Sequence, residues 1–132
     1  MPINKVEYWI DLADYDLKTA QAMFDTKRFL YVGFMCHQVI EKSFKAYYSY
    51  ATNKIPEKIH NLMKLAKQSG LMDLLSEEYK NFVDQLDPLN IEARYPAEKK
   101  NLLNFLTETK CREIIKMTEE LYQWIKLQLS IK

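Results

Sequence analysis

The sequence predicts an all-α fold, an up-and-down bundle of four to five helices. Apolar residues recur every three to four positions over most of the chain, the period of one helical face. Only two glycines, Gly33 and Gly70, occur in 132 residues, far fewer than an all-β fold spends on turns. The four prolines mark joints. One helical domain over residues 1–132 is expected, large enough to bury a core without metals or disulfides.

The first helix is predicted over Asn4–Phe24, with Val6, Trp9, Ile10, Ala13, Leu17, Ala20 and Phe24 on its apolar face and Asn4 as N-cap. A turn follows near Asp25–Lys27. A second helix runs from Phe29 to Ala51, with Cys36, Ile40, Phe44 and Tyr47 in one arc. Thr52–Pro56 breaks it, because the residue before a proline resists helix. A third helix covers Glu57–Ser69 and ends on Gly70 as a left-handed cap. A fourth covers Ser76–Leu86, although Ser76 lacks the acid three positions on that completes a capping box. Asp87–Pro96 reads as irregular. The last helix starts near Ala97 and carries Leu102, Leu106, Ile114, Met117, Leu121 and Ile125 towards the C-terminus. At that length it spans about 45 Å, longer than a compact bundle of this mass needs. It is expected to kink near Thr107–Thr109, or to pack its overhang and Trp124 on another chain.

Two glycines cannot build a dinucleotide fingerprint, a P-loop or a nucleophile elbow. Any phosphate site must therefore come from side chains. The formal net charge is +1. It averages a net −3 over residues 1–26, +6 over 27–67, −5 over 68–98 and +3 over 99–132. Cys36 and Cys111 form no C-x-x-C pair, and no apolar run approaches the roughly 18 residues of a membrane span. A cytoplasmic, thiol-reduced protein is expected. No cofactor, metal or catalytic residue is assigned.

Gln38, Glu41, Lys42 and Lys45 form a polar stripe on the second helix. By spacing it reads as a solvated face with a Glu41–Lys45 ion pair. Its functional reading is a cationic shelf for phosphate, with Glu41 orienting a lysine. Tyr47, Tyr48 and Tyr50 either stack a base or, as helical spacing favours, join the core or an interface. His37 shares a face with Glu41 and reads as a partly buried histidine with a hydrogen-bond partner, since two such groups fall short of a zinc site. His60 opens the third helix inside the basic block and is expected to stay neutral against the helix dipole. Pro96 holds Tyr95 extended, so Arg94 is free to reach towards the stripe. The paired acids Asp14/Asp16, Glu77/Glu78 and Glu119/Glu120 read as polar helix faces.

These pieces together resemble the HEPN domain family. Trp9, Ala13, Asp16, Leu17 and Ala20 match its W-x-x-x-A-x-x-D-L-x-x-A helix. Gln38, Glu41, Lys42, Lys45 and Ala46 match its Q-x-x-E-K-x-x-K-A core, His60–Leu62 its H-x-L, and Arg94–Tyr95–Pro96 its R-Y-P. The resemblance implies an α-bundle, a homodimer, and a minimal nucleotidyltransferase partner in a toxin–antitoxin-like pair. Some members are metal-independent ribonucleases carrying R-x(4–6)-H. Here the slots after Arg28, Arg94 and Arg112 hold Gly33, Phe34 and Met35; Lys99, Lys100 and Asn101; and Met117, Thr118 and Glu119. None is histidine, which weighs against an enzyme. The expected function is a nucleotide- or RNA-phosphate-binding module lined by Gln38, Glu41, Lys42, Lys45, His60 and Arg94, with Tyr95 as the packing anchor. Two alternatives stand beside it: a ribonuclease with a displaced catalytic His60, and a purely structural interaction module.

Overall fold

This computed structural model describes residues 5–90 and 96–129. Within them the fold is all-α, as the periodicity predicts. The helices are α1 (Lys5–Asp25), α2 (Phe29–Thr52), α3 (Leu62–Ser69), α4 (Glu77–Leu86), α5 (Pro96–Phe105) and α6 (Glu108–Gln128). Short 3-10 turns occupy Leu71–Asp73 and Asp87–Asn90. No described helix is long and apolar enough to cross a membrane.

Helix α1 stops without a glycine. Lys27 takes a positive φ of 61°, and the Arg28 amide reaches back to the Met23 carbonyl at 2.7 Å. This closure satisfies end carbonyls that α1 leaves open and turns the chain into α2, antiparallel to α1. Asn53 ends α2 in the same left-handed conformation. Asn tolerates that region because its short polar side chain bonds locally.

Helix α2 is the axis of the molecule. It packs against α1, α3, α4, α5 and α6. Val32, Cys36, Val39, Ile40, Phe44 and Ala46 are all fully buried, and Leu62, Leu65, Leu71, Leu86, Leu121, Tyr122 and Ile125 close round them. Across the bundle, the Tyr122 hydroxyl of α6 donates to Asp14 of α1.

The bundle has six helices among the described residues, where four to five were expected. The predicted long last helix is two. Leu106 is buried against α2, and the Thr107 side chain accepts the Lys110 amide at 3.2 Å, capping a new helix. Trp124, expected at an interface, is half-buried with its ring 5.7 Å from that of Tyr79. The third helix is also shorter than expected. Asn61 is extended and accepts the Lys64 amide at 2.9 Å, so α3 starts at Leu62 and not at Glu57. His60 therefore precedes the helix instead of opening it. Ser76 caps α4 through the Tyr79 amide even without a capping-box acid.

Candidate functional site

A helix places residues four apart in one row, and α2 carries two adjacent polar rows. The first holds His37, Glu41 and Lys45. The second holds Gln38 and Lys42. The first row is not a solvated face, which corrects the reading from spacing. His37 is fully buried, Glu41 is 2% exposed and Lys45 6%. Spacing along one helix shows which residues share a face but not what covers it. Here α1, the loop after α2 and the turn after α4 cover it.

Glu41 is the hub. Lys45 Nζ donates to Oε2 at 3.0 Å. His60 Nδ1 lies 3.1 Å from both Oε1 and Oε2. The Trp9 ring of α1 sits 5.3 Å from Lys45 Nζ, within cation–π range. His37 Nε2 faces Asp87 Oδ1 at 3.3 Å, and the same oxygen accepts the Leu62 amide at 3.2 Å. Asp87 thus ties the start of α3 to α2. The other ring nitrogen of His37 is 3.6 Å from Glu41 Oε1, longer than a hydrogen bond. Burial lowers the His37 pKa, outweighing the pull of Glu41 and Asp87. A neutral imidazole in this position donates through Nε2 to Asp87.

The second row is a separate network. Lys42 Nζ donates to Asp16 Oδ2 at 3.0 Å and to Gln38 Oε1 at 2.9 Å, and Gln38 Nε2 donates to Asn90 Oδ1 at 3.1 Å. Asp16 is therefore part of the cluster, which corrects its reading as a polar helix face. Asp14, read the same way, accepts from Tyr122.

The structure brings together Glu41, Lys45 and His60, and places Gln38 and Lys42 one row away. Arg94 and Tyr95 lie outside the described residues. Both lysines already face carboxylates, so the cluster carries three carboxylates against two ammoniums. The element open to solvent is His60, whose side chain is 63% exposed. With Nδ1 on Glu41, its Nε2 is left for a ligand or a proton. Among the described residues, no three His, Cys, Asp or Glu side chains are arranged to hold a metal ion.

Asp87, Asn90 and the covering Trp9 ring were not read as site residues from spacing. Asp87 and Asn90 lie about fifty positions from the α2 residues they meet, and nothing local marks them. Trp9 and Asp16 did carry a signal, in the first-helix motif.

The HEPN domain model matches residues 6–128. None of the curated proteins matches the chain. Among solved structures, TT1696 from Thermus thermophilus superposes with a TM-score of 0.74 at 19% identity, covering 94% of this chain and 98% of that one. ST0689, an archaeal HEPN homologue, superposes with a TM-score of 0.71 at 22% identity, covering 94% and 97%. At such identity the two structures speak for the fold, while the family model matches most of the chain in sequence. The chain belongs to the HEPN domain family.

Proposed function

We propose that this chain is a nucleotide- or RNA-phosphate-binding module that works as a homodimer with a minimal nucleotidyltransferase partner in the cytoplasm, in a toxin–antitoxin-like pair. The observation that carries the binding role is the exposed His60 imidazole held by both oxygens of the buried Glu41, beside Lys45. In this reading His60 meets the phosphate and Glu41 positions it. Lys45, Lys42 and Gln38 hold the frame, and Arg94 with Tyr95 completes the site from the α4–α5 link. Pairing a chain of this family with a nucleotidyltransferase rests on the family resemblance, and co-purification tests it. Titrating ATP, AMP and a short RNA against wild type, His60→Ala and Lys45→Met tests the site. Wild type binds in the micromolar range or tighter, and both variants lose most of that affinity. Absence of binding by wild type removes the reading.

One observation favours a second reading, the ribonuclease with a displaced histidine. A carboxylate on Nδ1 with Nε2 exposed is the arrangement that orients an imidazole for general acid–base work. Incubation with total RNA plus chelator separates the two. Cleavage abolished in His60→Ala makes the chain an enzyme; no cleavage leaves the binding module.

A further inference from the structure

Helix α4 packs on α2 and α3, and α6 packs on α1 and α2. The two share α2 as a base and leave a cleft of about 260 Å³ between them. Each lines it with residues three, four and seven positions apart, the spacing of one helical face. Phe82 of α4 with Ile114 and Met117 of α6 supply an apolar floor. Phe82 and Ile114 belong to the buried core, and Met117 packs against it. No residue of the Glu41 or Lys42 networks lines this cleft.

Side chains bridge the two helices on either side of that floor. Lys110 Nζ reaches Gln85 Oε1 at 3.5 Å, and the same ammonium stands 5.2 Å from the Phe105 ring. Beyond Met117, the Tyr79 and Trp124 rings are 5.7 Å apart. Along α4 the lining runs from Glu78 to Gln85, about 10 Å of helix. An occupant is therefore short, since a helix laid through the cleft meets both bridges. The volume exceeds the roughly 150 Å³ that takes up benzene and falls just below the roughly 300 Å³ at which drug-sized pockets begin. That suits one ring with a short chain.

The charge on the walls selects the sign of the occupant. Glu78 of α4 and Glu113 of α6 line the cleft, and neither forms an ion pair among the described residues. Their basic neighbours are taken by other acids: Lys80 pairs with Glu77 at 3.5 Å and Arg112 with Glu108 at 3.1 Å. Lys110 is turned to Gln85 and Phe105. Burial, then the charges of Glu120 and Glu78, push the Tyr79 phenol pKa up, which marks that end of the cleft as negative. Two carboxylates against one ammonium repel phosphates and other anions. A bare metal ion finds no set of three ligands among the described residues, and it makes no use of the floor.

We propose that the α4–α6 cleft is a binding site for a small amphipathic amine, a protonated amino group on a short aromatic body. The ring lies on Phe82, Ile114 and Met117, where the Met sulfur favours an aromatic neighbour. Glu78 and Glu113 hold the ammonium, and the Tyr79 and Trp124 rings beside them favour a cation. This site is separate from the phosphate-binding one and stands or falls on its own.

Phenethylamine is the probe. The controls are 2-phenylethanol and phenylacetate, its neutral and anionic counterparts, and 1,4-diaminobutane, a cation without the ring. Amide chemical shifts on the labelled full chain read affinity and place together. Phenethylamine is expected to saturate in the millimolar range or tighter, with its shifts gathered on α4 and α6. The alcohol binds several-fold more weakly, and phenylacetate and the diamine do not saturate. E78Q/E113Q weakens phenethylamine about tenfold, since an exposed ion pair contributes up to about fivefold. Asn81→Phe, on the exposed rim, fills the cleft and abolishes binding. All three positions are exposed, and an unchanged urea midpoint shows that both variants keep the fold. A wild type that does not saturate with phenethylamine overturns the proposal, as does equal binding of phenylacetate or the diamine. Shifts lying outside α4 and α6, or full affinity in E78Q/E113Q, overturn it too. Binding of a lysine-rich peptide with none of phenethylamine makes the cleft a protein contact and also overturns it.

Discussion

Nδ1 of His60, on the loop before α3, stands 3.1 Å from both carboxylate oxygens of Glu41 in the middle of α2. Nineteen positions of sequence separate an exposed imidazole from the buried acid that orients it. The contact fastens the α2–α3 loop to the central helix and decides which histidine nitrogen faces outward.

Glu41→Gln tests the hub. The change leaves Lys45, 6% exposed, without its carboxylate. Removing one partner of a buried ion pair costs about 3–5 kcal/mol, because the other charge stays buried. Urea denaturation is expected to show a loss of that order. Glu41→Gln/Lys45→Met, which removes both charges, recovers part of it.

His37 makes stability depend on pH. Burial lowers its pKa below the ordinary 6.5 in the folded state. The unfolded chain then takes up a proton near pH 6.5 that the native protein refuses. This contribution is fully present above pH 6.5 and is lost as pH falls through the depressed folded value, by up to about 1.4 kcal/mol per pH unit. Glu41 and Asp87 face the ring from α2 and from the turn after α4, and His60 adds a weaker charge effect. Denaturation series from pH 7.5 to 5, a range set by the ordinary histidine value of about 6.5, are expected to show a shallower slope for His37→Gln than for wild type.

Gly33 sits where there is room for only the smallest side chains. A Cβ there would lie 3.2 Å from Leu106 Cδ1 and 3.3 Å from Leu89 Cδ1. Gly33→Val pushes both leucines out of their places and destabilises by about 1–3 kcal/mol, read as a lower urea midpoint. Gly33→Ala gains up to about 1 kcal/mol in helix propensity, which offsets the smaller displacement.

Both cysteines are inert thiols in the native state. Burial pushes Cys36 up to about 12 and Cys111 up to about 11. The thiolate is the reactive form, so neither reacts with a thiol reagent at neutral pH until the chain unfolds. Titration with such a reagent is expected to count no thiols in buffer and both in guanidinium.

Local signals carried the helices wherever the end of a helix is a local event. The Asp25–Lys27 turn, the Pro56 break and the Gly70 cap all appear as read. The α3 start was misplaced, because the Asn61 cap sets it at Leu62, which is buried in the core, whereas the last helix divides at the kink expected near Thr107–Thr109, where Thr107 caps α6. The site was legible in part. Spacing put Gln38, Glu41, Lys42 and Lys45 on one helix, and motif order added His60, but their burial was misread.

By itself the sequence determined the all-α class, the family and the residues of the polar rows, since periodicity, glycine content and motif order are properties of the chain. Only the tertiary structure decided that Glu41 is the hub and that Asp16 and Asp87 belong to the cluster. Those facts depend on which side chains meet across 19 to 50 positions, and a charge is spent or available only once its neighbours are in place.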